Sequence, residues 1–280
     1  MIAPILVTGG GGMLAYAIRK VFGDEVELVT KAELDITDSA AVATAVQGRI
    51  AVINTAAFTA VDDAERDEER AWAINAGGAE NIATACSNEG ARMIHLSTDY
   101  VFDGQATDPY AEDAARNPQS AYGRSKQAGE DAVRNALPNG ATIVRTAWLY
   151  GAGGHSFVAT MLAKARAGEA VKVVTDQVGQ PTWTMDVAER IRHLLAAPSG
   201  IYHATNAGSC SWWDLAVAIY ESVGAPTTLV TRTTSDAFQR PAPRPAYSVL
   251  ADGAAASQGI PAMRSWRDAL AEALRADFAV

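Results

Sequence analysis

Cysteine is scarce in this chain: two thiols, Cys86 and Cys210, in 280 residues. Two widely separated thiols make no disulfide framework, so they are expected reduced and buried. The four histidines, His95, His155, His193 and His203, stand apart. None has a partner at metal-ligand spacing, which argues against a structural metal. No Lys/Arg-rich run exists and the net charge is -9, so the basic face of a nucleic-acid binder is missing. No apolar run approaches the roughly 18 residues of a membrane helix, and the opening MIAPILV has no basic leader. Internal repeats and low-complexity tracts are missing too. The expectation is a soluble cytoplasmic protein with no nucleic-acid or membrane partner.

What is present is an ordinary globular composition, 49% hydrophobic and 20% charged, enough for a large core in one or two domains. Residues 2–7, 27–29, 51–54, 93–96 and 142–145 are short apolar runs of the kind that form buried parallel strands. Helical patterns separate them: a helix capped by Thr37 or Asp38, a charged one at 61–69, and an Ala-rich one at 71–87 in which Asn75 bonds neighbouring backbone. This alternation predicts an α/β fold with a doubly wound parallel sheet of the Rossmann kind. Ligands sit at the carboxyl ends of such strands. The second half is less regular, with helices at 157–167, 181–195 and 211–223, strands at 171–174 and 202–204, and a Pro-rich loop at 240–245. Residues 1–150 read as the dinucleotide-binding domain, with parts of 174–198 and 235–252 returning to it. Residues 151–280 read mostly as a smaller α/β substrate-binding lobe.

Thr8 is followed by Gly9-Gly10-Gly11-Gly12-Met13-Leu14-Ala15 between the first strand and the first helix. Glycine permits a tight turn and close backbone approach, and the exposed amides of the new helix suit a diphosphate. A flexible linker is the alternative, and the position between strand and helix argues against it. NAD-selective sites carry an acid at the end of the second strand. Thr30 and Lys31 stand there instead, which suits the 2′-phosphate of NADPH and leaves NADH possible; a solvated Lys31 is the alternative. Candidate cofactor contacts are Gly9, Gly11, Gly12, Met13 and Leu14, then Thr30, Lys31, Asp35 and Ile36. Ala56, Ala57 and Thr59, after the third strand, complete the set with Tyr122 and Lys126.

Tyr122 and Lys126 are four apart at the start of a helix, which puts them on one face. A free phenol has a pKa of about 10, and a nearby ammonium lowers it toward the working pH. Tyr122 can then protonate a carbonyl oxygen while a strand-end hydroxyl, Thr98 or Ser97, hydrogen-bonds the same atom. The spacing alone is weak, because Tyr16 and Lys20 share it without strand-end hydroxyls before them.

Together these residues resemble the extended short-chain dehydrogenase/reductase superfamily and, within it, the dTDP-4-dehydrorhamnose reductase family. The resemblance runs over nearly the whole chain, through LDITD (34–38), NTAAFTAVDDAE (54–65), STDYVFDG (97–104), YGRSK (122–126), RTAWLYG (145–151), DQVGQPT (176–182) and RPAYSVL (244–250). The glycine loop and Tyr-x-x-x-Lys are superfamily-wide; STDYVFDG, RTAWLYG and DQVGQPT are narrower. The resemblance implies NADPH-dependent reduction of the 4-keto group of a dTDP-linked 6-deoxysugar. It implies Thr98, Tyr122 and Lys126 as the catalytic trio, with Tyr122 the acid, Lys126 lowering its pKa and holding the nicotinamide ribose, and Thr98 orienting the carbonyl. It implies substrate contacts at Val61, Thr98, Asp99 and Tyr100, at Trp148 on the sugar ring and at Arg244 on the diphosphate. Core packing is the alternative for Trp148, and an exposed salt bridge for Arg244.

Three departures stand out. Ala15 replaces a third glycine. Asp99-Tyr100 replaces the Asp-Glu pair of related dehydratases, which counts against dehydration. Some family members bridge two subunits through magnesium with a glutamate near the first helix; Ala15-Tyr16-Ala17 offers none, so a monomer is expected. The alternatives are a different nucleotide-deoxysugar ketoreductase, or a non-catalytic regulatory subunit such as the β subunit of methionine adenosyltransferase. The intact trio favours an enzyme.

Overall fold

The structure, a computed structural model, describes residues 4–279. The apolar run expected to form the first strand begins at residue 2; residues 2 and 3 lie outside the described residues, and the strand observed is β1 (Ile5–Thr8). There follow α1 (Met13–Phe22), β2 (Val26–Val29), α2 (Ser39–Val46), β3 (Ala51–Asn54), α3 (Val61–Ala64), α4 (Glu68–Trp72), α5 (Ala79–Glu89), β4 (Arg92–Thr98), α6 (Ala121–Ala136) and β5 (Ala141–Thr146). The second half contains β6 (Leu149–Tyr150), α7 (Phe157–Arg166), β7 (Val171–Val174), β8 (Val178–Gly179), β9 (Thr182–Trp183) and α8 (Thr184–Leu194). It ends with β10 (Gly200–His203), β11 (Cys210–Ser211), α9 (Trp212–Ser222), β12 (Val230–Thr233), α10 (Gly253–Ser257) and α11 (Trp266–Asp277).

Six strands form one parallel sheet in the order β10-β5-β4-β3-β1-β2. The register sets Thr8 beside Asn54, Asn54 beside His95, and Thr98 beside Thr146. The carboxyl ends of β1, β3, β4 and β5 therefore share one edge. One face of the sheet is covered by α1 and α8, whose Ile18, Val187 and Ile191 pack with Val7, Ile53 and Ile94. The other carries Val42, Ile82 and Val133 from α2, α5 and α6 over Leu6, Val52 and Met93. Burying both faces is what makes these strands nearly all apolar.

A second core lies beyond β5. Leu162 of α7, Leu215 and Ile219 of α9, and Trp266 and Leu270 of α11 enclose Val173 and Trp183. Asp38 caps α2, accepting from the amides of Ala40 and Ala41. Ser211 caps α9 in a reciprocal box with Asp214.

Two expected helices differ in the structure. Residues 61–69 form parts of two short helices, α3 and α4. The continuous helix expected at 71–87 is interrupted by a π-helical segment, Ala73–Gly78. Tertiary contacts explain the interruption. Asn75 accepts from the Phe58 amide and donates to the Phe58 carbonyl and the Ser125 hydroxyl. A Cβ at Gly78 would lie 2.6 Å from the Ile36 side chain. The segment is thereby pulled onto its neighbours, and a π turn absorbs the extra residue.

Candidate active site

The glycine loop comes first. Gly9 has φ +73, and a Cβ there would sit 2.7 Å from the Ala56 amide. Only glycine takes this conformation at this distance without strain. The Gly10 amide donates to the Val29 carbonyl at 2.8 Å, and the Thr55 hydroxyl to the Thr8 carbonyl at 2.6 Å. These bonds join the loop after β1 to the end of β2 and the loop after β3 to the end of β1. Helix α1 starts from Gly12 with no side-chain cap and no acid in its first turn. Its first amides are left for an anion, which is the feature a dinucleotide diphosphate needs.

The candidates after β2 divide. The Thr30 amide and hydroxyl both donate to Glu33, each at 2.8 Å. Lys31 is exposed. Asp35 accepts from the Thr37 amide and hydroxyl, which holds its carboxyl below the usual range. Ile36 is buried in the core beside Gly78, so its side chain packs and only its backbone is left for a cofactor. Glu33 escaped the sequence reading because it lies past the strand end; its three-residue reach back to Thr30 is a turn contact that only the fold displays.

The chemical group is buried where β4 meets α6. Ser120 caps α6, accepting from Gly123, and a Cβ at Gly123 would fall 2.3 Å from the Tyr100 carbonyl. That contact presses the helix start against the strand end. Tyr122, Lys126 and Thr98 are 9%, 2% and 6% exposed. Tyr100 packs edge-on to Tyr122, ring centroids 5.5 Å apart. The Lys126 ammonium donates to the Leu96 carbonyl at 2.7 Å. Thr98 donates to Asp99 at 2.9 Å and accepts from the Tyr100 amide.

The electrostatics correct one expectation. Lys126 was expected to lower the Tyr122 pKa. Instead burial pushes the phenol up to about 12, a hydrogen bond with Thr98 pulls it back, and the Asp99 charge adds to the rise. Desolvation is the largest cause, and the Lys126 ammonium is itself buried and donates to the Leu96 carbonyl. Burial lowers Lys126 to about 8, with Glu130 acting the other way. Burial raises Asp99 to about 6, against the hydrogen bond from Thr98. At neutral pH Tyr122 thus stays in its acid form, with the Lys126 side chain one helical turn along α6.

A cleft of about 1050 Å³ runs from these groups to the second core. Gly12, Met13 and Leu14 border it at one end, and Ala57, Thr59 and Val61 follow along the β3 loop. Thr98, Asp99 and Tyr100, then Tyr122 and Lys126, line its floor. Trp148 and Arg244 stand on the far wall. The remaining candidates, Gly9, Gly11, Thr30, Lys31, Asp35, Ile36 and Ala56, are not among its lining residues; Gly9 and Ala56 act by their mutual contact.

The far wall holds residues the sequence reading missed. Trp148, with φ 47, stacks on Trp212 at 3.5 Å and 6°. A Cβ at Gly179 would come within 2.5 Å of the Trp148 ring, so that glycine makes room for it. Phe157 packs on Trp212 from the side at 4.6 Å, and the Trp212 indole N–H donates to Gln177. Gln177 lies inside the DQVGQPT stretch, which was a usable signal; Trp212, in an aromatic-rich helix start, gave none that separated it from core. Arg244 donates to Asp62 at 2.9 Å and to the Ala242 carbonyl at 3.0 Å. Arg240 and the Ala242 amide also bind Asp62. Burial raises the Asp62 carboxyl, but the bonds from Arg244, Ala242 and Arg240 outweigh it and hold it below its ordinary range. Arg244 therefore borders the cleft within a salt bridge. Among the described residues no cluster of His, Cys, Asp and Glu could hold a metal ion, and no helix is long and apolar enough to cross a membrane.

Comparison with known proteins agrees with this geometry. The family model described as the RmlD substrate binding domain matches residues 3–278. A Streptomyces antibioticus protein described as a probable dTDP-4,6-dihydroxy-2-methyloxan-3-one 4-ketoreductase is 47% identical, over 96% of this chain and 93% of its own. A dTDP-4-dehydrorhamnose reductase from Streptomyces griseus is 46% identical, over 97% and 93%. The crystal structure of a Bacillus anthracis dTDP-4-dehydrorhamnose reductase in complex with NADP superimposes with TM-score 0.94 at 35% identity, over 98% of this chain and 99% of that one.

Proposed function

The chain belongs to the RmlD substrate binding domain family, and from that premise we propose that it reduces dTDP-4-dehydro-L-rhamnose to dTDP-L-rhamnose with NADPH, Tyr122 delivering the proton. The relatives support the reaction class, an NADPH-dependent reduction of the 4-keto group of a dTDP-linked sugar. The observation that carries the site assignment is convergence. Tyr122, Lys126 and Thr98, all buried, line the same cleft that the uncapped start of α1 borders.

The first amides of α1 hold the cofactor diphosphate, Ala57 leaves room beside it, and Lys126 reaches the nicotinamide ribose. When bound, NADPH supplies the hydride to C4 of the sugar. The Thr98 hydroxyl donates a hydrogen bond to the C4 oxygen and fixes its direction. Tyr122, kept in its acid form by burial, gives that oxygen its proton. The Lys126 ammonium stabilises the phenolate left behind. Arg244, exchanging Asp62 for the sugar diphosphate, and the Trp148–Trp212 wall hold the remote part of the substrate, and that binding energy aligns C4. In this reading the first core serves the cofactor and the second serves the sugar, in a cytoplasmic monomer.

The test is NADPH oxidation with dTDP-4-keto-6-deoxyglucose, with and without the epimerase that makes the L-sugar. Oxidation only with the epimerase is expected. Oxidation without it assigns a different deoxysugar ketoreductase, since relatives of near-equal identity carry both kinds of name.

A further inference from the structure

Behind the trio lies a carboxylate that the reaction, as written, does not use. Glu130 sits one helical turn after Lys126 on α6 and is fully buried. Both its oxygens are occupied. One accepts from the Ser97 hydroxyl at 2.6 Å and from Arg145 Nε at 2.8 Å. The other accepts from Arg145 Nη2 at 2.8 Å and from Arg116 at 3.1 Å. Arg145 is 1% exposed, lies over the Phe102 ring at 5.0 Å and gives its remaining nitrogen to the Glu112 carbonyl. A carboxylate and a guanidinium are costly to bury, and a plain apolar pair would fill this space more cheaply.

The placement suggests what the pair is for. Ser97 stands between Leu96, whose carbonyl accepts from Lys126, and Thr98, the hydroxyl beside Tyr122. The bond from Ser97 to Glu130 thus ties the strand end carrying two of these contacts to the helix carrying Tyr122 and Lys126. Glu130 also places a negative charge near Lys126. We propose that Glu130 is a positioning residue for proton delivery: it locks the end of β4 to α6 through Ser97 and sets its negative charge one helical turn from the Lys126 ammonium, with Arg145 and Arg116 holding the carboxylate in place.

The inference rests on the reading of Tyr122 and Lys126 as the proton-delivering pair. Other titratable groups on the elements packed around α6 are Arg92 and His95 on β4, Asp99 and Tyr100 after it, Arg145 on β5, Cys86, Glu80 and Glu89 on α5, Glu68, Glu69 and Arg70 on α4, and Asp62, Asp63 and Glu65 at α3. Among the causes acting on Lys126 besides burial, Glu130 is the one that raises it. Removing Glu130 therefore lets Lys126 lose its proton at lower pH.

The experiment is the pH profile of kcat for Glu130→Gln, with NADPH affinity measured separately by fluorescence and Tyr122→Phe run in parallel. Expected are an alkaline limb displaced by about one unit to lower pH, a kcat reduced tenfold or more, and NADPH binding within about threefold of the parent. An unmoved limb in a folded, NADPH-binding Glu130→Gln overturns the charge role. Ser97→Ala tests the brace without touching a charge and stands alone should Glu130→Gln fail to fold. It is expected to lower kcat severalfold with the limb in place, and an unchanged kcat overturns the brace. If Tyr122→Phe keeps its turnover, the reading of the pair fails instead. If Tyr122→Phe is inactive while Glu130→Gln and Ser97→Ala behave as the parent, only this inference fails.

Discussion

The two walls of the cleft are built differently. On the sheet side, Thr98, Tyr122 and Lys126 are almost wholly buried and fixed by backbone and short polar contacts: Gly123 against Tyr100, Lys126 on Leu96, Ser97 on Glu130. On the lobe side, side chain holds side chain. Trp148 leans on Trp212, and Arg244 and Arg240 on Asp62, which is itself 28% exposed at its side chain. Contacts of the first kind cannot be exchanged without moving the sheet. Those of the second can repack at modest cost, and in the proposed function they face the sugar. Relatives whose names give different sugars at 46–47% identity fit that division.

The largest effect expected is from Tyr122→Phe. It removes the proposed proton donor and leaves the ring packing on Tyr100, so turnover falls by about 10²–10⁴-fold while NADPH still binds. Steady-state turnover beside fluorescence binding checks this, and retained turnover would move the proton to another group.

The next test is pH. Lys126 is lowered by burial to about 8, so its charge is present below that value and lost above it. With the phenol up near 12, the acid form of Tyr122 persists across the range. Turnover should therefore hold near neutrality and decline as pH rises through about 8, and a profile flat to pH 10 would show that the Lys126 charge plays no part.

On the other wall, Trp212→Ala opens the stack and leaves Trp148 without its partner. The sugar KM should rise about tenfold with kcat less affected, and alternative dTDP-sugars should be accepted more evenly. If kcat falls instead and KM holds, the lobe wall is as tightly coupled to the chemistry as the sheet wall, and the contrast between them disappears.

The smallest effect is at the rim. Glu33→Gln removes an exposed negative charge beside Thr30 and should lower the NADPH KM by about two- to threefold in low salt, fading as ionic strength rises. An equal gain with NADH would mean that the effect is not on the 2′-phosphate.

Much of the sheet-side wall was readable in the sequence because its signals are local. The Gly9–Gly12 turn, the strand end at Ser97-Thr98 and the four-residue step from Tyr122 to Lys126 each sit within a few residues. Context separated that step from its twin: Tyr16 is 40% exposed, with Lys20 5.5 Å over its ring. The lobe wall was only partly readable, because its pairs join distant segments. Trp148 finds Trp212, and Arg244 finds Asp62, only after the chain returns. The pKa of Tyr122 was misjudged for a related reason: spacing reports a neighbouring charge but not the depth at which both groups are buried. The break at Ala73–Gly78 was hidden because Asn75 and Gly78 answer to partners elsewhere, Phe58 and Ile36, rather than to helix propensity.

The late position of α8 and β10 in the chain has a bearing on synthesis. Both belong to the first core: α8 covers α1, and β10 forms the outer strand beside β5. A nascent chain that has emitted only its first five strands leaves Ile18 and Val7 without Val187 and Ile191, and β5 with an open edge. Such an unpaired edge and bare apolar face invite association with other chains. The first core is therefore complete only with residues 184–203, and a fragment ending at β5 should be recovered largely in aggregates.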